Sequence, residues 1–516
     1  MAMKIKTFLI ALPVILLLFL FFLSHGSTTR DLSGFLRVSG NRVLDGSGNP
    51  VMLRGFNIAF KDFRDVLSVE DIKEIADTGA NSIRLVLDYR HFESAPFKYN
   101  PDNFSLLDSI LDWCEKYDVY VILDMHLAPG IQNPHDFVVH REKSYEFWSK
   151  RKYQERFYAL WAKIAKRYAD RRIIAGYDLL NEGVPPDSDS YTKVINKVAS
   201  VIREYDRNHI LIVEEMVLPA KRGKKLSLID DKNTIYSIHF FYPPQFTFYT
   251  TTNKKIVMNY PGEMVTAGPE TGKTKTGSIT GTSDWKKIVL KAVPPEGAEI
   301  LRVNIVSSGN HGTVWFDDIH LEKDSRPIEL PALLVSNNSF EIDYPGISWN
   351  TMGKGVTVTD RTSRTGTYSL KFSGNETASS AKSSPIEVQK GKFSLSAWVK
   401  SKNATGDNHI SLSWHKKKLI KNINRNSLLE RLQYALEFKN RYNVPLYVGE
   451  FTVHSNPSEK SVANYLNDIL EIMEKEDLHW SYWTYYSEYP GIGIYTGNSS
   501  FLSRSNGLEI LKKFMK

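Results

Sequence analysis

The chain has 516 residues, 42% of them hydrophobic and 24% charged. That is enough for two or three domains with cores of their own, and too apolar for a disordered polymer. A formal charge of +8 is small for this length, and the basic residues are interspersed with acids apart from short clusters such as Lys416–Lys418, which argues against a nucleic-acid partner. With one cysteine, Cys114, no intramolecular disulfide can form, and the residue reads as a buried thiol.

Lys4 and Lys6 precede an apolar run from Thr7 to Leu23, and Ser24, His25 and Gly26 follow it. A positive start, an apolar middle and small residues before a cut after Gly26 are the layout of a secretory signal. The run is also at the lower edge of bilayer-spanning length, so residues 1–26 read as a signal peptide or an uncleaved membrane anchor. Either way the expectation is export: a secreted chain, or one held at the outer face of the membrane. No cysteine stands directly after the run, so a lipoprotein anchor is not expected.

Short apolar strands then alternate with amphipathic helices. Strands are expected over Val51–Ile58, Ser82–Leu87, Val119–Met125, Ile173–Leu180, Ile210–Val213 and Thr234–Phe240. Helices are expected over Val69–Thr78, Phe104–Lys116, Tyr145–Tyr168 and Tyr191–Tyr205. After an interruption the alternation resumes with a helix Ser427–Tyr442, a strand Leu446–Val448, a helix Lys460–Glu474, a strand Trp480–Tyr485 and a last helix near Asn506–Met515. Eight strands, with seven helices placed by periodicity and an eighth implied by the alternation, point to an α/β fold, a (β/α)8 barrel, in two parts at 27–250 and 417–516.

The interruption, 251–416, is dense in Gly, Ser and Thr and has no helical periodicity. Short alternating runs such as "ILRVNIV", "GTVWFDDIHLE" and "FSLSAWVKS" predict an antiparallel β-sandwich of jelly-roll type, inserted between the sixth strand and the sixth helix. Loops after barrel strands form the catalytic face, so the insert is expected to leave the barrel beside the cleft.

Polar residues gather at the strand ends. The fourth strand closes on "DLLNEGVPP", with Asn181 and Glu182, and the seventh on "PLYVGEF", with Glu450. Two carboxylates meeting at one mouth supply an acid to protonate a leaving oxygen and a base to attack carbon or activate water, which glycosidic cleavage requires. Arg84 stands in the second strand; His126 ends the third, His239 ends the sixth, and Trp483 lies in the eighth. An arginine beside the attacking carboxylate should hold its pKa low, while burial beside a like charge should keep the proton on the other acid. Asn181 can hydrogen-bond a sugar hydroxyl, and Trp483 offers a flat apolar face.

Each residue alone has a plainer reading. Arg84 could form a structural ion pair, and His126 or His239 could be a satisfied core histidine. Trp483 could be packing, with Trp480 as competitor, while Glu214 and Glu215 at the end of the fifth strand compete with the chosen acids. What favours the site is that independent polar residues all fall at the same end of their strands.

The segments "GFLRVSGNRVLDGSGNPVMLRGFN", "NSIRL", "LDMHLAPG", "DLLNE", "IHFFYPP", "VGEF" and "YWTYY" together resemble glycoside hydrolase family 5, over nearly all of 34–250 and 427–516. The resemblance implies Glu182 as acid/base and Glu450 as nucleophile, with Arg84, His126, Asn181 and His239 as polar supports and Trp483 as sugar platform. It departs at one point. The family places a tyrosine two residues after the strand-six histidine, where this chain has Phe241; Tyr242 comes one later and is taken as a substrate-binding candidate.

The insert resembles carbohydrate-binding modules of families 4 and 9, with the halves in reverse order. "WKKIVLKAVPP" and "GTVWFDDIHLE" match the closing half; "NNSFEIDYPGISWN", "SRTGTYSLKFSG" and "FSLSAWVKS" match the opening half. One permuted module is expected, and two incomplete ones are the alternative. The resemblance implies a structural calcium at positions matching Glu341 and Asp318. Trp285, Trp349, Tyr344 and Trp414 are taken as stacking candidates, and Trp398 and Trp315, inside apolar strands, as core.

The reading that follows is a secreted retaining glycoside hydrolase cutting internal β-1,4 linkages of a glucan, without a catalytic cofactor and as a monomer. The alternatives are an endo-β-1,4-mannanase or another β-glucan hydrolase on the same residues, and more remotely a non-catalytic polysaccharide-binding protein. A metal-dependent barrel hydrolase built on His126 and His239 is disfavoured, since "GFNI" supplies no histidine pair at the first strand's end.

Overall fold

Inward and outward residues alternate along eight parallel strands, and that alternation fixes the architecture. The structure is a computed structural model that describes residues 34–516, apart from 59–66, 134–145, 219–222, 248–257, 329–339, 341–348, 455–456, 488–492, 497–502, 505–506 and single positions at 354, 360, 361, 367, 376 and 384. The first six barrel strands are Arg54–Ile58, Ser82–Asp88, Tyr120–Leu127, Ile174–Asp178, Ile210–Glu214 and Thr234–Phe240. The seventh and eighth are Leu446–Phe451 and His479–Tyr482, and the eighth pairs with the first to close the barrel in chain order.

Outward residues such as Ile83, Leu85, Val121, Leu123, Leu211 and Val213 join the core shared with the helices. Inward residues near the strand starts (Tyr120, Ile122, Ile210, Ile212, Ile235 and Tyr447) form an apolar layer. Leu36 and Val43, from the segment around the hairpin Arg37–Ser39/Arg42–Leu44, pack against that layer. The inward positions nearer the strand ends are polar, so the same alternation builds both a plugged floor and a charged mouth.

The helices bury one stripe each. Arg151–Tyr168 sinks Phe157, Leu160, Trp161, Ile164, Ala165 and Tyr168, spacings of three and four that share a face. Ser68 starts Val69–Asp77 and Asn424 starts Arg425–Tyr442, each with a reciprocal capping box. Two expectations are corrected. The third of the expected helices begins at Arg151 rather than Tyr145, because Phe147 and Trp148 form a turn held by the Trp148 indole on the Gln132 carbonyl. Between the fifth and sixth strands the described residues hold a hairpin, Met216–Leu218 with Gly223–Lys225, and not a helix; seven helices of eight or more residues stand among the described residues.

The insert is an antiparallel sandwich of two sheets. One runs Gly262–Lys275, Asp407–Ile423, Ile300–Ser308, Ser379–Ser383, Trp349–Met352; the other runs Gly281–Ala292, Phe393–Ala404, Asn310–Lys323, Ser369–Asn375, Val356–Thr359. Each sheet draws strands from both sequence halves, and one core holds Leu301, Val303, Phe316, Phe372, Leu395 and Leu412 together. The halves therefore form one module rather than two.

Its last strand continues past the expected boundary at Lys416 to Ile423, which packs in the barrel core with Met258 and Tyr260. Gly262 and Ile423 are register partners, so the insert leaves and returns side by side. The Tyr260 hydroxyl donates to Asp468 at 2.7 Å on the helix Glu459–Lys475. The stem is thus rooted on an outer helix of the barrel.

Trp349 and Trp414, taken as stacking residues, lie in the sandwich core. Trp315 and Trp398, taken as core, alternate with Val314, Phe316, Ala397 and Val399, which point inward, and are only half-buried on the opposite face. Tyr344, Glu341 and residues 1–26 lie outside the described residues; among those described, no helix is long and apolar enough to cross a membrane. Asp318 accepts from the Thr365 hydroxyl at 2.6 Å, and the described residues of the insert bring no three metal-ligating groups together.

Because Phe316 is fully buried in the single sandwich core, Phe316→Ala should cost about 3–5 kcal/mol in denaturant unfolding of the insert. A loss below about 1 kcal/mol would mean that the two sheets do not share that core.

Candidate active site

Arg84 points inward from the second strand, fully buried among acceptors. Its Nε donates to Asp178 Oδ2 at 2.9 Å, Nη1 to Asn57 Oδ1 at 3.0 Å and Glu450 Oε1 at 2.8 Å, and Nη2 to Asn181 Oδ1 at 3.0 Å and Glu214 Oε1 at 2.7 Å. Asp124 Oδ1 lies 3.1 Å from Nη2. A guanidinium has five N–H donors, and here each of its nitrogens is engaged.

Two bulges set the reacting groups. The pairing of the sixth strand with the seventh shifts register between Ile238 and His239, and that of the seventh with the eighth between Val448 and Phe451. Such bulges re-aim side chains, here His239 and Glu450. His239 Nδ1 lies 2.9 Å from Glu182 Oε1 and 3.4 Å from Glu450 Oε2, and its Nε2 lies 3.2 Å from Glu214 Oε1. Oxygens of Glu182 and Glu450 and a nitrogen of His239 all lie within 4.8 Å of one another.

The proton distribution differs from the expectation. Burial pushes the Glu450 carboxyl up to about 7, although His239, Arg84 and His126 pull it down. Arg84 cannot keep it low because the same cation serves Asp124, Asp178 and Glu214 as well. Burial would also raise Glu182, but the hydrogen bond and charge of His239, with Lys224, overcome it and hold the carboxyl at about 2. Burial disfavours the charged imidazole of His239, and Glu214, Glu450 and Glu182 outweigh it, raising its pKa well above the ordinary value. The proton expected on Glu182 therefore rests on His239, across a 2.9 Å contact.

The supports divide clearly. His126 Nδ1 faces Asp124 Oδ2 at 2.8 Å, and its ring stacks on Trp483 with centroids 5.6 Å apart and planes 14° from parallel. Asn181 Nδ2 lies 3.3 Å from His126 Nε2. Trp480 faces outward into the barrel core, which leaves Trp483 as the tryptophan of the mouth. Tyr242 does not join the group: its ring lies near Phe240 and Arg431, and its described contacts include none to Glu450. Arg84 and His239 are the groups that stand at Glu450.

Glu214 and Glu215 point apart. Glu215 Oε1 takes the Lys224 ammonium and the His239 amide (3.1 Å), and its Oε2 takes the Tyr434 hydroxyl, so it clamps the hairpin to the sixth strand. Glu214 is inside the site. Asn57, Asp124, Asp178 and Asn133 are further site residues that strand-end reasoning missed; Asn133 Nδ2 donates to Glu182 Oε2 at 3.2 Å. The signal for the first three was the inward parity of a polar residue within an apolar strand. Asn133 sits in the loop after the third strand and had none. His126 stands outside the group formed by Glu182, His239 and Glu450.

Residues 44–292 match the model described as cellulase (glycosyl hydrolase family 5). Endoglucanase C of Acetivibrio thermocellus is 35% identical over 188 residues, 36% of this chain and 53% of that protein. A beta-xylosidase of Phanerodontia chrysosporium is 30% identical over 251 residues, 40% of this chain and 51% of that protein. The chain thus spans about half the length of the curated relatives it matches. Among solved structures, Thermotoga maritima Cel5A in complex with mannotriose aligns over 90% of this chain and 98% of its own, at 15% identity and a TM-score of 0.48.

With Glu450 pushed up to about 7, carbon-13 NMR of glutamate-labelled protein should show a carboxyl titrating near pH 7 that disappears in Glu450→Gln. If every glutamate titrates below about pH 5, burial does not dominate Glu450.

Proposed function

From the premise that this barrel belongs to glycosyl hydrolase family 5, we propose that the chain is a retaining β-glycosidase cutting internal β-1,4 linkages of a glucan. The observation that carries the proposal is the approach of Glu182 and Glu450 oxygens to within 4.8 Å. Retaining enzymes keep their acids about 5–5.5 Å apart, whereas inverting ones leave roughly 6.5–9.5 Å for a water.

In this reading Glu450 attacks the anomeric carbon while Glu182 protonates the leaving oxygen, and Glu182 then takes a proton from water to release the sugar. The resting proton on His239 fits that sequence. The Glu450 charge is one of the charges that hold the proton on His239. As Glu450 bonds to carbon that charge is consumed, and the proton passes through Glu182 to the leaving group. Trp483, already parallel to His126, supplies the flat face for the pyranose.

Mannan and other β-glucans would meet the same residues, so a reducing-sugar assay over cellulose derivatives, mixed-linkage glucan, mannan and xylan decides the polymer. Export of the chain rests on the pattern of residues 1–26. A calcium at Asp318 and Glu341 would only cross-link the insert; a rise in Tm on adding calcium to chelated protein tests it.

The insert is proposed to hold the same polysaccharide. Trp398 lies opposite Lys287 and Asp317 and carries the Arg364 guanidinium 4.4 Å above its ring, while Trp315 lies opposite Lys400 and Lys371. Trp285 is half-buried on the neighbouring strand. Replacing Trp315 and Trp398 together by alanine should weaken pull-down on insoluble glucan about tenfold and leave turnover of a soluble oligosaccharide within about threefold. Unchanged pull-down would leave the insert a purely structural addition.

The division of labour is tested by two variants. Glu450→Gln should abolish activity on all substrates. Glu182→Gln should still form the glycosyl-enzyme from a dinitrophenyl glycoside, whose leaving group needs no proton, and azide should speed its turnover. Azide rescue of Glu450→Gln instead would reverse the assignment.

A further inference from the structure

We propose that Glu214 is a positioning residue that holds the backbone of Glu182 in the conformation from which its carboxyl reaches the cleft. The inference rests on the reading of Glu182 as acid/base. Glu182 has φ of +42°, in the left-handed region that a residue with a Cβ seldom occupies, and it is not a glycine position in disguise, since its side chain does the work. Something must over-determine that conformation for it to persist.

Glu214 meets the requirement. It ends the fifth strand at an inward position and is buried, and its backbone carbonyl is fixed by the Tyr191 hydroxyl at 2.6 Å. Its Oε2 accepts the Glu182 amide at 2.7 Å, and its Oε1 accepts Arg84 Nη2 at 2.7 Å. Arg84 keeps Asp178, Asn57, Asn181 and Glu450 as anchors if Glu214 is lost. The Glu182 amide, by contrast, donates to Glu214. The burden of removing the carboxylate therefore falls on the acid/base and not on the nucleophile. An amide in its place has one oxygen for the Glu182 amide, Arg84 and the His239 imidazolium, so glutamine should serve only partly.

The test compares Glu214→Ala and Glu214→Gln in the full chain on two aryl β-cellobiosides, one with a dinitrophenol leaving group and one with an unactivated phenol. Glu214→Ala should lose about 100-fold in kcat/KM on the phenol substrate, the scale of general-acid catalysis, and less than about threefold on the dinitrophenyl one. Glu214→Gln should fall between wild type and Glu214→Ala on the phenol substrate. Equal losses on both substrates, or no loss on either, would overturn the proposal, since a merely structural residue does not sense the leaving group. Should Glu214→Ala fail to fold by circular dichroism, Glu214→Gln carries the comparison. A crystal structure of either folded variant gives a readout free of activity: in Glu214→Ala, Glu182 should leave the left-handed region, and an unchanged φ there also overturns the proposal. A wild-type chain inactive on both glycosides would instead count against the glycosidase reading.

Discussion

One guanidinium organises the mouth of this barrel. Arg84 is the fully buried cation around which Asp124, Asp178, Glu214 and Glu450 converge. Burying a charge is costly unless its donors are all met, and meeting them requires acceptors from several strands at once. Asn57 comes from the first strand, Asp124 from the third, Asp178 from the fourth, Glu214 from the fifth and Glu450 from the seventh. Strand register and site geometry are thereby one constraint: a slipped strand would leave Arg84 unpaired.

Four acids around one cation cannot all be ionised cheaply. Burial and the neighbouring Glu214 raise Asp178 well above the usual carboxylate range, which removes one charge from the cluster. Glu214, though buried, is held at about 2 by His239 and Arg84. His239, between Glu182, Glu214 and Glu450, takes up the remaining imbalance as a cation. Glu450 is raised by burial and Glu182 lowered by His239, so the imidazole stands as the cation between the two carboxyls. A site arranged in this way stores its proton one bond away from the residue that must deliver it.

Much of this was legible in the sequence because the barrel repeats one pattern. Strand-end polar residues found Glu182, Glu450, Arg84, His126, Asn181, His239 and Trp483, and the strands lie close to where alternation put them. The misses have physical causes. Asp124, Asp178 and Asn57 sit within apolar segments, where strand-end reasoning does not look although inward parity marks them. The protonation order depends on distances among groups hundreds of residues apart, which no local pattern carries. The tryptophans of the insert were misjudged although period two was available: Trp414 shares parity with Ile410 and Leu412, and Trp398 opposes that of Ala397 and Val399. The segment "MVLPAKRGKK" after the fifth strand carries no apolar stripe at helical spacing, and its described residues pair as a hairpin.

The position of the insert shows how a barrel absorbs a foreign module. Closing a loop costs entropy that grows only with the logarithm of its length, so a long insertion is tolerable if its ends are already close. Here the ends are register partners, Gly262 and Ile423, on adjacent antiparallel strands. Tyr260 and Ile423 are both part of the barrel core, so the stem is welded to the host rather than tethered to it. Both sheets receive strands from each half of the insert, so the sandwich closes on a core of its own between the two stem strands. What the barrel requires of its guest is two adjacent strand ends, and the paired Gly262 and Ile423 provide them while each core stays its own.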